Sequence, residues 1–300
     1  TGTGSAAPQV NDNNDTYVGW AWDAGSGSAA SNTDGSITST VKASQDNGFS
    51  IGTLTKGSGT ETFGHGLSSA PELLIVKRYN GTGSWFSYSS VTGATKWIRL
   101  NGTDAATTDS TFWNNTAPTS SVATISTAYN SGEQLVFYAW HSVAGYSSIS
   151  NYTGDGTTDG SKTITTGFRP GFVMMKNTSS GGTNWLMFDN TREPDPTIEL
   201  ELNANNSNSE GNNGRDVTFT DTGFTVAGNN NINGNGDTYI YMAFADTRNA
   251  AFWRDTSGNN NNWTSNNLDY RDSLPDSTTN NFAVMNSLEA SSGVSVTLSE

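Results

Sequence analysis

The densest apolar run in the chain lies at residues 70–78 and reads Ala-Pro-Glu-Leu-Leu-Ile-Val-Lys-Arg. Consecutive apolar residues, rather than an alternation of apolar and polar ones, indicate a strand that is buried on both faces. Pro71 stands at the head of the run, where a missing backbone N–H removes no ladder hydrogen bond. Such a strand needs a sheet around it and a covering layer on each face. We therefore expect this run at the centre of a β unit.

The same pattern returns about 100 residues later, at residues 169–176, as Arg-Pro-Gly-Phe-Val-Met-Met-Lys. Other segments match in the same order: 85–88 with 185–188, 100–101 with 202–203, and 132–140 with 236–244. The offset grows from 99 residues, between Lys77 and Lys176, to 104, between Gln134 and Thr238, as small loop insertions would produce. The sequence therefore predicts an internal duplication.

The predicted domain organisation follows from these repeats. Residues 16–22, Thr-Tyr-Val-Gly-Trp-Ala-Trp, have the pattern of the closing segment 134–140 and predict the last strand of an earlier unit. Four segments result: the end of a preceding repeat plus a Gly/Ser-rich linker at 1–47, repeats at 48–147 and 148–250, and an Asn-rich connector with the start of a following domain at 251–300. One strand is expected within the linker, near residues 37–41.

Composition favours an all-β fold. Only 14% of the residues are charged, and Gly, Ser, Thr and Asn are abundant beside 9 Trp, 10 Tyr and 13 Phe. This combination is typical of short strands joined by many turns, and helix signals are nearly absent. The predicted fold is all-β, with two tandem antiparallel β-sandwich repeats of about 100 residues, jelly-roll or concanavalin-A-like.

Charge and residue content exclude several classes of function. The net charge of −14 repels nucleic acids and anionic membrane surfaces. No apolar run is long enough for membrane insertion, and the lack of Cys rules out disulfides and thiolate chemistry. The chain begins with Thr and carries no signal peptide, so we expect it to be an internal piece of a longer protein.

A string of short motifs resembles a known family. The motifs are Gly-Phe-Ser-Ile at 48–51, Gly-Ser-Gly at 57–59, Gly-His-Gly-Leu at 64–67, the run at 70–78 with Trp85 after it, residues 115–122, and residues 255–259 with Trp263 and 280–282. Over residues 16–290 they resemble tandem concanavalin-A/laminin-G-like domains of marine bacteriophage tail or fibre proteins, whose molecular function is unknown. The resemblance supplies no catalytic residues.

The resemblance implies a place on the virion surface, outside the cell. The expected function is that of a non-enzymatic structural or adhesive protein, part of a phage tail fibre or similar appendage involved in host attachment. The expected partners are other virion subunits, with a homotrimer as one arrangement, and a host surface glycan or receptor. Two alternatives stay open: a carbohydrate-binding module of a bacterial surface or secreted protein, and a glycan depolymerase.

The sequence offers weak candidates for catalysis. β-Sandwich glycosidases place two carboxylates close together, and Glu199 and Glu201 are the nearest approach to such a pair. Alternation predicts both on one face of a strand, and a solvated acidic face is the favoured interpretation, because Trp97 and Arg99 stand at the matching positions. His65 and His141 have no counterparts in the second copy, and structural roles are expected for both.

Binding candidates are also few. Trp113, Trp263 and Tyr152 could stack on a sugar, the two tryptophans because they lie in polar runs, although packing is the competing interpretation. Asp155 and Asp159, in the Gly-Asp-Gly-Thr-Thr-Asp-Gly loop, could ligate Ca²⁺ through oxygen atoms. Asp and Gly also form turns without any metal. No cofactor is expected apart from this possible Ca²⁺.

Overall fold

Two eight-stranded sheets and a two-stranded ribbon make up the fold in this computed structural model, which describes residues 16–193 and 197–246. Strand numbers follow the chain, whereas the strands of each sheet are named from one edge to the other. The first sheet contains β1 (Ala30–Asn32), β2 (Ser39–Ser44), β3 (Phe49–Thr55), β10 (Gln134–Trp140), β5 (Leu73–Arg78), β6 (Trp85–Ser89), β7 (Lys96–Arg99) and β8 (Thr107–Thr108).

The second sheet follows the first along the chain. It contains β11 (Ser147–Thr153), β18 (Thr238–Ala245), β13 (Pro170–Asn177), β14 (Trp185–Asp189), β15 (Thr197–Asn203), β16 (Gly211–Thr220), β17 (Gly223–Ala227) and β12 (Lys162–Thr165). β4 (Glu61–Gly64) and β9 (Val122–Ile125) form the ribbon, and α1 (Ser110–Trp113) is a single helical turn. The predicted all-β, antiparallel class is confirmed.

The apolar run at residues 70–78 contains β5, and it is buried on both faces as predicted. β5 pairs with β10 on one side and with β6 on the other. Its four apolar residues are at most 4% exposed. Leu73 and Ile75 face the second sheet, whereas Leu74 and Val76 face a layer that includes α1, β4 and β9. The strand is therefore covered on each side by a different layer.

Strand order is the same in large parts of the two sheets. The order β3-β10-β5-β6-β7-β8 in the first sheet corresponds to β11-β18-β13-β14-β15-β16 in the second. The register agrees as well, since Lys77 lies opposite Trp85 in the first sheet and Lys176 lies opposite Trp185 in the second. Positions can therefore be matched between the halves by their place in the sheets.

This structural match corrects one part of the sequence alignment. Arg99 lies opposite Phe86 on β6, and its counterpart opposite Leu186 on β14 is Asn203, not Glu201. The next matching residues are Leu100-Asn101 and Ala204-Asn205. In both halves the asparagine side chain accepts the backbone N–H of the tryptophan that begins the neighbouring strand, at 2.9 and 2.8 Å. The sequence match was two residues off because β7 and β15 have little similarity of their own.

The N-terminal segment also differs from expectation. Residues 16–29 contain no strand, so the predicted closing strand of an earlier unit at 16–22 is wrong. Trp22 instead packs edge-on against Trp140 of the first sheet and against Phe172 and Phe244 of the second. Aromatic rings that fill a gap between sheets have the same sequence pattern as rings on a strand. The predicted linker holds β1 and β2, the latter overlapping the strand expected near 37–41.

One apolar core is shared by the two sheets. Its buried members from the first half are Phe49, Leu73, Ile75, Ile98 and Trp140, and those from the second half are Ile149, Phe172, Met174, Trp185, Ile240, Met242 and Phe244. A cavity of about 10 Å³, the size of one water molecule, lies within it. The halves therefore share a core although they share no strand, and the described residues up to Phe244 form one compact unit.

The second sheet folds back over its other face. Phe224 of β17 contacts Tyr152 of β11 and Tyr241 of β18 edge-on, with ring centroids 6.5 and 5.3 Å apart. Residues on that face, including Val173 and Phe188, are fully buried. The second half thus covers one face with its own strands and depends on the first half to cover the other.

Because the core is shared, we expect the described residues up to Phe244 to unfold in one cooperative transition. Phe172→Ala should lower the free energy of unfolding by about 3–5 kcal/mol, since it empties a site surrounded by Trp20, Trp22 and Phe244. Urea denaturation followed by fluorescence and by circular dichroism measures this. Tyr79→Ala, at a side chain that is 52% exposed, is the matched control and should change little. Two separate transitions, of which the variant shifts only one, would contradict the shared core.

Candidate functional site

The structure gives the two described sugar-stacking candidates a packing role. Trp113 is 1% exposed and packs against Phe112 and Tyr88. Tyr152 is 7% exposed, stacks on Tyr239 with centroids 4.8 Å apart, and donates its hydroxyl to the Ile232 carbonyl at 2.5 Å. Burial raises the pKa of Tyr152. Neither ring has a free face for a sugar, and Trp263 lies outside the described residues.

The two aspartates proposed as Ca²⁺ ligands each close a turn. Asp155 Oδ1 accepts the Thr157 N–H at 3.0 Å, the Thr157 hydroxyl at 2.7 Å and the Asn233 amide at 2.8 Å. These donors, the Thr157 hydroxyl first, lower the pKa of Asp155 to about 2. Asp159 accepts the Ser161 N–H in the same manner at 3.0 Å. Within residues 16–193 and 197–246 no three acidic or histidine side chains converge.

Glu199 and Glu201 do not form the acidic face that alternation predicts. The register of β15 against β16 shifts between Ile198 and Leu200, as in a β-bulge. Glu193 stabilises the irregularity, because its carboxylate accepts the backbone N–H groups of Glu199 at 2.9 Å and of Leu200 at 2.5 Å. A carboxylate six residues away thus fixes a local distortion that no periodicity reveals.

The distortion separates the two glutamates in environment. Glu199 is exposed, and the Asn212 amide donates to it at 2.9 Å. Glu201 is 1% exposed and pairs with the buried Arg215 guanidinium, whose Nε lies 2.5 Å from Glu201 Oε2 and which makes a second contact to Oε1. The Asn213 amide completes the shell at 2.9 Å. Glu201 therefore belongs to a structural ion pair.

His65 has the structural role that the sequence indicates. It is fully buried; Nε2 lies 3.1 Å from the Thr119 carbonyl and Nδ1 lies 3.2 Å from the Leu67 N–H. This arrangement fits the neutral ring protonated at Nε2. Burial lowers the pKa of His65, and the Thr119 carbonyl and the more distant Asp34 carboxylate partly oppose that effect. The imidazole is thus held neutral between two loops.

A half-exposed aromatic surface on the first sheet is a better candidate site than any of these residues. We call it the front face; it consists of Ile51, Lys77, Trp85, Val136 and Tyr138, all half-buried and on the side of the sheet that faces the shared core. The Trp85 ring stacks on Tyr138 with centroids 6.1 Å apart, and Tyr138 stacks on the buried Trp140 at 6.2 Å. A row of rings therefore runs from the core to the solvent.

The matching surface of the second half is covered. The counterparts of the front face are Ile149, Lys176, Trp185, Ile240 and Met242, which are 7%, 0%, 2%, 4% and 3% exposed. The cover comes from the first half: the Trp185 indole N–H donates to the Arg99 carbonyl at 2.7 Å, and Ile98 joins the shared core. The front face has no such cover from the described residues.

Loops of the first half complete this cover. The Ala106 N–H donates to the Thr178 carbonyl at 2.9 Å, and the Gly182 N–H donates to the Thr103 carbonyl at 2.8 Å. Beneath them the Lys176 ammonium donates to the Thr183 carbonyl and hydroxyl at 2.9 and 2.7 Å. Burial lowers the pKa of Lys176 to about 8. Burial in this contact therefore disfavours the charged form of Lys176.

The front face carries groups of the kind that bind ligands or partner proteins. It offers two stacked rings, aliphatic side chains and one ammonium group, which is the chemistry of a recognition surface. In the sequence, the recurrence of Trp85 and Trp185 at equivalent positions favours core packing as strongly as recognition. The sequence does not show that the first half covers Trp185, whereas Trp85 stays half-exposed.

Comparison with known sequences places the chain in a family. Residues 1–248 match the family described as Domain of unknown function (DUF7483). A search among curated proteins and a search among solved structures return no match. The one helix of the described residues has four residues, and no helix there could cross a membrane.

Arg215→Ala should destabilise the fold by about 3–5 kcal/mol, because it leaves the Glu201 carboxylate buried and unpaired. Glu199→Gln is the matched control on the same strand, and it should change stability by less than about 0.5 kcal/mol. Chemical denaturation at neutral pH compares the two variants. Equal effects of the two substitutions would show that the glutamates share one environment after all.

The neutral ring of His65 predicts a pH dependence of stability. Since its pKa in the folded protein lies below the ordinary value of 6.5, the unfolded chain binds the proton first. The contribution of His65 is therefore complete above about pH 6.5 and is lost as the pH falls through 6.5 toward the lower, folded pKa. The stability advantage of the wild-type protein over His65→Gln should shrink between pH 7.5 and pH 5.5 in thermal denaturation. An advantage that stays constant over this range would contradict the neutral ring.

Proposed function

We propose that this chain, which belongs to the family matched by residues 1–248, is a non-enzymatic structural or adhesive module of a phage tail fibre or a similar surface appendage. The observation that supports the proposal most directly is the shared core. It joins two sheets into one body without any disulfide, and backbone hydrogen bonds between loops reinforce the contact. A body of this kind holds a fixed spacing between its ends, which an appendage that positions a host-binding tip requires.

The finer architecture is also a proposal. We infer two tandem β-sandwich repeats of about 100 residues, at 48–147 and 148–250, related by duplication and similar to jelly-roll or concanavalin-A-like domains. The common strand order and the equal register of the central strands support the duplication. The placement on the virion surface, the virion partners and a homotrimeric arrangement follow from the family resemblance and fit a chain with a net charge of −14.

Carbohydrate binding is the second candidate, and the front face favours it. Trp85 and Tyr138 present stacked, half-exposed rings, and Lys77 lies on the strand between those that carry them, with its ammonium group donating to the Arg78 carbonyl. A sugar ring could pack on such a platform while its hydroxyls meet polar groups at the edge. This candidate replaces Trp113 and Tyr152, whose rings are buried, with residues that solvent reaches.

A glycan depolymerase has less support. Its nearest acid pair consists of Glu199 and Glu201, and Glu201 is committed to Arg215 in a buried ion pair. A retaining glycosidase needs two carboxylates about 5 Å apart that both reach the substrate. Glu201 could reach a sugar only by losing its buried partner.

Electron microscopy with a gold-labelled antibody against the purified chain tests the proposed role. Gold should decorate the appendages of phage particles from a host culture in which the chain is expressed. Particles without label, while the chain is found only free in the lysate, would overturn the structural role. Incubation with host surface polysaccharide tests the enzymatic alternative: release of oligosaccharides that is lost in Glu199→Gln or Glu201→Gln would overturn the non-enzymatic assignment.

A further inference from the structure

Each sheet contacts the other through the face that points to the shared core. The covered part of that face differs between the two sheets. On the first sheet the part around β6 and β7 is covered, where Ser87 and Ile98 are both fully buried. Their counterparts on the second sheet are Met187 and Leu202, which are half-buried. We call Met187, Leu202 and the neighbouring Ala204 the back face. The inner face of each sheet thus has a front part and a back part. The back part is covered in the first sheet, and the front part is covered in the second.

The contact between the halves is therefore heterologous. The back part of the first sheet lies on the front part of the second, where the Trp185 indole donates to the Arg99 carbonyl. The front face and the back face lie at the margin of the shared core and are covered only in part by the described residues. A heterologous contact leaves one unused partner at each end of the assembly. Among the residues that the structure describes, the unused partners are the front face of the first half and the back face of the second half.

We propose that the front face of one copy of this chain binds the back face of a second copy, and so repeats between molecules the contact that joins the two halves. The inference rests on the proposed structural role and deepens it by naming the partner surface. The chain itself supplies the precedent, because it already contains one example of this interface. Four of the five front-face positions carry residues of the same kind as their covered counterparts: Ile51 and Ile149, Lys77 and Lys176, Trp85 and Trp185, and Val136 and Ile240. At the fifth, Tyr138 corresponds to Met242.

The equivalent positions define the expected contacts. Trp185 donates its indole N–H to the Arg99 carbonyl, and the counterpart of Arg99 in the second half is Asn203. The Trp85 indole of one copy should therefore donate to the Asn203 carbonyl of the next. Met187 and Leu202 should pack where Ser87 and Ile98 pack within the chain. Because a heterologous contact uses a different surface on each partner, copies should add beyond a dimer, as a ring or as a row.

Two substitutions, one on each face, test the proposal with the full chain. Trp85→Ala removes the aromatic anchor of the front face, and Leu202→Glu places a charge on the back face. Trp85 packs at the edge of the shared core and Leu202 is half-buried, so the melting temperature of each variant first establishes that it is folded under the conditions of the measurement. Tyr79→Ala is the control for loss of an exposed aromatic side chain outside the front face. Sedimentation equilibrium over a range of concentrations and salt gives the association constants.

The wild-type chain and Tyr79→Ala should associate beyond the dimer as concentration rises, more strongly at higher salt because copies of charge −14 repel each other. Each front or back variant alone should bind itself about thirtyfold more weakly. An equimolar mixture of Trp85→Ala and Leu202→Glu should form dimers and stop there, since the intact back face of the first variant meets the intact front face of the second. A two-fold symmetric interface would give no such rescue.

A mixture that associates no more strongly than either variant alone would overturn the proposal, as would a wild-type chain that stays monomeric at the highest soluble concentration. Glycan binding that Trp85→Ala abolishes, in the absence of self-association, would also overturn it and would favour carbohydrate recognition by the front face. The location of the chain on phage particles is measured separately. Failure of self-association would therefore leave the appendage role standing. Self-association of a chain that is not found on phage particles would be detected as a separate result.

Discussion

The packing of β5 against β13 across the shared core is the interaction on which the remaining structure depends. Leu73 and Ile75 project from one strand, and Phe172 and Met174 project from the other, so that each sheet provides the solvent-free environment the other needs. The opposite faces of both strands are buried as well, which leaves no apolar residue of either strand in water. With no disulfide in the chain, apolar burial supplies most of the stabilisation of this contact. The halves are thus partners in one fold.

Polar groups at the edges of the core determine how the sheets are aligned. The Trp185 indole and two backbone N–H groups find carbonyl partners in the other half, and each would be costly to bury without them. Apolar packing alone tolerates sliding, whereas these directional bonds fix one offset between the sheets. That offset decides which side chains the first half covers and which it leaves open to solvent.

Local patterns predicted much of this fold, and the failures have a common physical origin. β5 and β13 were predictable because a strand buried on both faces has a distinctive run of apolar residues. The aromatic residues at 16–22 were misassigned because ring spacing does not say whether a backbone finds a hydrogen-bonding neighbour. Glu201 was misplaced because Glu193 holds a bulge in β15. The front face depends on the offset between two sheets, which arises from contacts about 100 residues apart and leaves no local signal.

The burial of Lys176 links the closure of the two halves to proton binding. The pKa of this lysine is about 8 in the closed structure, against 10.5 for a lysine in water. Any movement that parts the halves hydrates the ammonium group and, between these two pH values, draws a proton from the solvent. Acidification toward pH 8 therefore eases opening, and a rise in pH toward 10.5 resists it. The free energy needed to separate the two sheets thus depends on the pH of the solution.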